Sequence, residues 1–139
     1  MTSKLVLINR TAQMTPPGLK VQARRLWQSV SYITKQSWGE VAVVLVEPSV
    51  SRQLNLVYRH HNWVTDVLSF TYESKPQVSG ELIICLSQAI KQAKRRHWSL
   101  KKELELLLVH GYLHLLGYDH IKPGERLIMR RTEQQVIKH

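Results

Sequence analysis

The chain has 139 residues with 20 Lys+Arg against 10 Asp+Glu, a formal charge of +10 that any function assigned to it must use. At this length folding buries roughly 68–70% of the unfolded chain's surface, enough for a core without metal or disulfide staples. A hydrophobic content of 43% excludes a disordered chain, no apolar run approaches the ~20 residues of a membrane span, and the single cysteine, Cys85, excludes an internal disulfide framework. The expectation is one soluble domain in a reducing cytoplasm, and Leu5–Ile8 is too short an apolar block for a signal peptide.

Lys4–Asn9 reads as a short strand, followed by the breaker Thr15-Pro16-Pro17-Gly18. Leu19, Ala23, Leu26, Val30 and Ile33 then recur at steps of four and three, which puts them on one face of a helix. Val41–Val46 is a continuous apolar run, as expected of a strand buried on both faces. Ser49–Tyr58 is predicted helical, with Val50, Leu54 and Val57 inward. Thr65–Tyr72 alternates as a third strand, Glu73–Ser79 is a polar loop around Pro76, and Glu81–Leu86 is a fourth strand. Ser87–Arg96 is a helix ending in a basic cluster. Ser99 is placed to cap a long helix running toward Gly117, and a last amphipathic segment covers about Pro123 to Ile137. This coarse reading yields four strands and about five helices.

Residues 110 to 120 read HGYLHLLGYDH, so three of the seven histidines fall in one short stretch. On a helix His110 and His114 share a face, with Cβ atoms about 5–6 Å apart, from which two imidazoles can converge on one ion. Gly117 sits where the helix must stop, because glycine accepts the positive φ that turns the chain back, and His120 could then swing over the first two. Three imidazoles leave a fourth tetrahedral position open, the layout of a catalytic zinc site. The alternative is a set of ordinary surface or core histidines, but independent placement produces this spacing in on the order of one such chain in a thousand. The spacing is that of metzincin peptidases, except that Gly111 stands where those enzymes carry the glutamate that serves as general base.

Together with Asn55–Arg59 (NLVYR), Thr65–Phe70 (TDVLSF) and Gly80–Ile84 (GELII), the histidine block resembles the YbeY endoribonucleases, a bacterial family concerned with ribosomal RNA processing and ribosome quality control. The resemblance spans residues 55 to 120, with the tail matching through Met129 and Glu133. It implies a zincin-like α+β single domain over residues 1–139, with a mixed four-stranded sheet packed with about five helices. It implies that His110, His114 and His120 hold one Zn²⁺ and that Arg59 is needed for RNA cleavage. It further implies single-stranded regions of ribosomal RNA as substrate, especially the 3′ end of the 16S molecule, with a small-subunit ribosomal protein and an Era-type GTPase as partners. Glu81 replaces the family's aspartate in the GELII block.

Each of these residues also has a plainer reading. Arg59 closes a helix and could be a solvated charge favoured by the helix dipole, or an electrophile whose fork binds a phosphate. Asp66 suits a turn or cap as well as chemistry, Ser69 a structural hydrogen bond, and Asp119 a bond that orients an imidazole. Cys85 reads as a small buried hydrophobe, and Trp27, Trp38, Trp63 and Trp98 individually as packing, although Trp98 could stack on a base. Lys91, Lys94, Arg95, Arg96, Lys101 and Lys102 form a run without a carboxylate, read as a phosphate-tracking surface.

The leading expectation is therefore a zinc-dependent, single-strand-preferring endoribonuclease, with the general base unassigned. Two rivals remain open. One is a metal-dependent hydrolase of peptides or amides, which Gly111 and the charge oppose. The other is a noncatalytic RNA-binding assembly factor with a structural zinc, for which Asp119 or His139 would have to supply a fourth ligand.

Overall fold

The computed structural model describes residues 3–118 and 123–138. Its elements run β1 (Lys4–Asn9), α1 (Leu19–Thr34), β2 (Trp38–Val46), α2 (Pro48–Arg59), β3 (Val67–Glu73), β4 (Val78–Cys85), α3 (Leu86–Arg95), α4 (Leu100–Leu115) and α5 (Pro123–Lys138). The sheet order is β1-β2-β4-β3. β1 and β4 both run parallel to β2, while β3 pairs antiparallel with β4 and forms an edge. This is the mixed four-stranded sheet of the α+β fold that the family resemblance implied. β2 and β4 begin three residues earlier than their apolar runs suggest, because Trp38 and Val78 pair with each other across the sheet.

Strand alternation divides the core in two. Val41, Val43, Leu45, Leu82 and Ile84 face α1, α3, α4 and α5, whereas Val44, Val46, Leu68 and Ile83 face the other way and meet Leu54 of α2. β2 is thus buried on both faces, as its unbroken apolar run implies. Fully burying each such side chain is worth about 1.5–3 kcal/mol. On the α4 side Tyr112 is wholly buried and donates its hydroxyl to Ala23 O at 2.9 Å, which pins α4 to α1. Burial pushes the Tyr112 pKa upward, so the ring stays a neutral donor. Trp27 and Trp38 stack in this core, with Trp38 Nε1 donating to Trp27 O at 2.8 Å. Trp63 departs from the expected packing role: it is 59% exposed and stacks on His61.

The expected inward face of α2 needs correction. Val50 and Val57 are exposed, and the buried residues are Ser51 and Asn55. Ser51 Oγ donates to Thr65 O at 2.8 Å and Asn55 Nδ2 to Trp63 O at 2.9 Å, so this helix spends its inner face on the chain entering β3. The requirement to satisfy those loop carbonyls outweighs apolar periodicity here.

The caps of α4 follow the sequence reading. Ser99 Oγ accepts from Lys102 N–H at 3.1 Å. At the other end Gly117 has φ 96, and Gly117 N–H to His114 O and Tyr118 N–H to Leu113 O complete the reverse turn that ends the helix.

Candidate active site

A cleft of about 800 Å³ lies between the edge strand β3, the outer face of α4 and the C-terminal end of α2. Two side chains of β3 fasten that edge to α4: Ser69 Oγ donates to Gly111 O at 3.2 Å and Thr71 Oγ1 to Leu115 O at 3.0 Å. Ser69 lines the cleft but is committed to this structural bond. The one-turn stretch of α4 that carries His110 and His114 is therefore held at a fixed height beside the strand.

His110 and His114 converge as their spacing requires. Their Nε2 atoms are 3.0 Å apart and their rings meet edge to face. On its other nitrogen, His110 Nδ1 contacts Glu133 Oε1 of α5 at 3.2 Å. If Nδ1 carries the proton donated to Glu133, His110 Nε2 presents a lone pair, and two imidazole nitrogens that close need a proton or a cation between them. Bonds of about 2.0–2.1 Å from one tetrahedral ion to both nitrogens would set them about 3.3 Å apart, so this donor pair fits zinc with a small adjustment. A carboxylate on the far imidazole nitrogen is the usual support for a metal-ligating histidine. Among the described residues no group of three or more His, Cys, Asp and Glu side chains gathers to hold an ion. The third expected ligand, His120, and its neighbour Asp119 lie outside the described residues, as does His139.

Arg59 ends α2, whose last carbonyls are capped by the bonds of His60 and His61 N–H to Leu56 O and Asn55 O. Its side chain is exposed and lines the same cleft as the two histidines. Among the described residues its guanidinium makes no hydrogen bond or ion pair, so its donors are uncommitted, as both a solvated helix-end charge and a phosphate-binding fork require.

Asp66 also lines the cleft, but both its oxygens are engaged: Oδ1 accepts from Val67 N–H at 2.7 Å and Oδ2 from Gln92 Nε2 at 3.1 Å. These bonds tie the entrance of β3 to α3. Glu81 lies outside the cleft lining and acts on Tyr72: burial first, and the Glu81 carboxylate second, push the Tyr72 pKa up to about 12. Cys85 is buried and contacts Ser87 Oγ at 3.6 Å, consistent with a packing role. Two carboxylates in the cleft were not assigned from the sequence, Glu103 and Glu133. The signal for Glu133 was that the tail matches the family through it and Met129, which gave it no role.

Gly111 has a packing reason. A Cβ there would come within 2.7 and 2.9 Å of the two Leu82 methyl carbons, so a side chain at this position would enter the helix–sheet interface. Leu82 is fully buried, so its methyls must shift against packed neighbours to make room. Gly111→Ala is therefore expected to lower stability by about 1–2 kcal/mol, the crowding exceeding the roughly 1 kcal/mol by which alanine favours a helix. Chemical denaturation measures this directly, and an increase in stability would show that Leu82 repacks freely.

Residues 9–139 match the family profile described as Endoribonuclease YbeY. The chain belongs to the endoribonuclease YbeY family. The protein named Endoribonuclease YbeY in Finegoldia magna is 43% identical over 103 residues, covering 71% of this chain and 67% of that protein. Its namesake in Cellvibrio japonicus is 34% identical over 135 residues, covering 94% of this chain and 75% of the relative. The solution structure of TM1509 from Thermotoga maritima has the same fold, with a TM-score of 0.63 at 24% identity over 96% of this chain and 89% of that one. No helix among the described residues is long and apolar enough to cross a membrane.

Proposed function

We propose that this member of the endoribonuclease YbeY family is a zinc-dependent enzyme that cuts single-stranded RNA, acting in maturation of ribosomal RNA at the 3′ end of the 16S molecule and in ribosome quality control. Residues 1–139 would serve as one metal-dependent endoribonuclease domain in the cytoplasm. The observation that carries the reading is the arrangement of one cleft: an unengaged Arg59 guanidinium on one wall and the paired His110 and His114 nitrogens on another.

His110, His114 and His120 would hold Zn²⁺, with Glu133 fixing the His110 ring through Nδ1. Zinc bound there supplies Lewis-acid stabilisation of phosphate charge and lowers the pKa of water to about 7. Arg59 grips the scissile phosphate with two parallel N–H donors and steadies charge that develops on its oxygens. Ser69 and Thr71 keep the strand wall and α4 in register, so that wall and ligands do not drift apart as substrate enters. The family resemblance adds a small-subunit ribosomal protein and an Era-type GTPase as partners.

Peptide hydrolysis is disfavoured because the position of the peptidase glutamate is Gly111, packed against Leu82. The purified protein is accordingly expected to cut single-stranded RNA, to act little on a DNA strand of the same sequence if the 2′-hydroxyl takes part, and to leave unstructured peptide intact. Arg59→Ala and His114→Ala, prepared identically, control for contaminating ribonuclease. RNA cutting that persists in both variants, or metal-dependent peptide cutting by the parent, would refute the proposal.

A further inference from the structure

Among the six cations between Lys91 and Lys102, Arg96 alone is found in the cleft lining among the described residues. Its position is built from both sides. His97, at φ 58, turns the chain directly after α3, with His97 N–H bonded to Lys94 O and Trp98 N–H to Ala93 O. On the other side stands Glu103, a carboxylate with no exposed surface. It accepts from Arg96 Nη1 at 3.1 and 3.2 Å, from Trp98 Nε1 at 2.8 Å and from Gln92 Nε2 at 2.8 Å. The guanidinium also lies 5.5 Å from the centre of the Trp98 ring, whose surroundings include Lys102 Nζ at 4.7 Å.

Glu103 thus has two donors besides Arg96, and Arg96 gives it only one nitrogen. Nη2 and Nε of Arg96 have no hydrogen-bond partner among the described residues, and the side chain remains 48% exposed. An arginine held by one corner, with its remaining donors uncommitted in a cleft, has the form of an anion-binding group. The nearby carboxylates leave the free corner of Arg96 unclaimed: Glu103 also accepts from Trp98 and Gln92, Asp66 accepts from Val67 and Gln92, and Glu133 is in contact with His110.

Position completes the argument. Glu103, Leu107, His110 and His114 recur at i, i+4, i+7 and i+11 of α4, so they form one stripe along the cleft. Glu103 precedes His110 by about 10.5 Å of helix. Arg96 therefore belongs to one end of the stripe and the histidine pair to the other. Gln92 Nε2 bridges Glu103 to Asp66 at the entry to β3, which ties this end of the cleft to the strand wall.

We propose that Arg96 binds a flanking phosphate of the RNA strand, a second phosphate subsite separate from the scissile phosphate at Arg59. This rests on the RNA-cleaving reading above. A phosphate held at Arg96, at the end of the stripe away from the histidine pair, keeps an extended single strand in register across that pair, so Arg96 is a positioning residue whose loss weakens binding more than it slows the bond-breaking step.

Removing Arg96 alone strips the charge partner from buried Glu103 and could impair folding, so the test uses Arg96→Lys and the paired substitution Arg96→Gln with Glu103→Gln, which keeps the interior neutral. Zinc content and melting temperature establish that each variant is folded and loaded. The readouts are KM and kcat on a single-stranded RNA and the salt dependence of Kd for a 2′-O-methyl strand of the same sequence, verified intact after binding. The paired variant is expected to raise KM about tenfold with kcat within about threefold, and to flatten the log Kd against log salt slope by about 0.7, one phosphate contact. Arg96→Lys is expected to keep the slope and raise KM less. A folded paired variant with parental KM and slope would overturn the subsite and leave Arg96 as the counterion of Glu103. A parent that binds the strand with a steep salt slope but cuts no RNA would instead refute the cleavage reading, and the slope comparison would still decide Arg96.

Discussion

Arg59→Ala is expected to cut the rate of RNA cleavage about 10²–10³-fold while leaving zinc content and folding close to those of the parent. The first half follows from chemistry: a preorganised cation beside a phosphate acts most strongly on charge that appears in the transition state, so its removal should fall mainly on kcat. The second half follows from place. Arg59 is exposed at the end of α2 and no hydrogen bond or ion pair ties it to the described residues, so the substitution should cost no more than about 0.5 kcal/mol of stability. Single-turnover cleavage, metal analysis and thermal melting on one preparation separate the two effects. If the variant loses zinc or melts far below the parent, Arg59 is structural and its assigned role is wrong.

His114→Ala should act on the metal itself. The parent is expected to bind about one zinc per chain and the variant almost none at micromolar concentrations, because losing one imidazole of three leaves too few neutral nitrogens to hold the ion. RNA cleavage should fall to background with it. Zinc that binds only the folded chain also stabilises it, by about 4 kcal/mol when its concentration is 1,000 times Kd. A chelator should therefore lower the melting temperature of the parent and leave that of the variant unchanged. Equal zinc in parent and variant would end the three-histidine site.

Much of this was legible from local chemistry. The H-x-x-x-H spacing alone puts two imidazoles on one helical face, and the structure brings their Nε2 atoms to 3.0 Å. Ser99 and Gly117 marked the ends of α4, since capping depends on residues within one turn of the helix terminus. Of the inward face of α2 only Leu54 was legible. Val50 and Val57 carried the periodicity, yet Ser51 and Asn55 are buried because carbonyls of the loop that follows the helix needed their donors, a demand outside the helix's own pattern.

What the amino-acid sequence determined by itself was the set of elements, the histidine pair, the strong positive charge and the family motifs, all of which depend on neighbours along the chain. Only the tertiary structure decided which charges matter to the cleft. Glu103 drew no reading from the sequence, but three donors from α3 and the turn after it surround it, and burial without them would be prohibitive. The same enclosure singles out Arg96 from five other cations in its run and brings Glu133, from the last helix, onto His110. Burial and hydrogen-bond partnership are set by elements far apart in sequence, and no periodicity within one element encodes them.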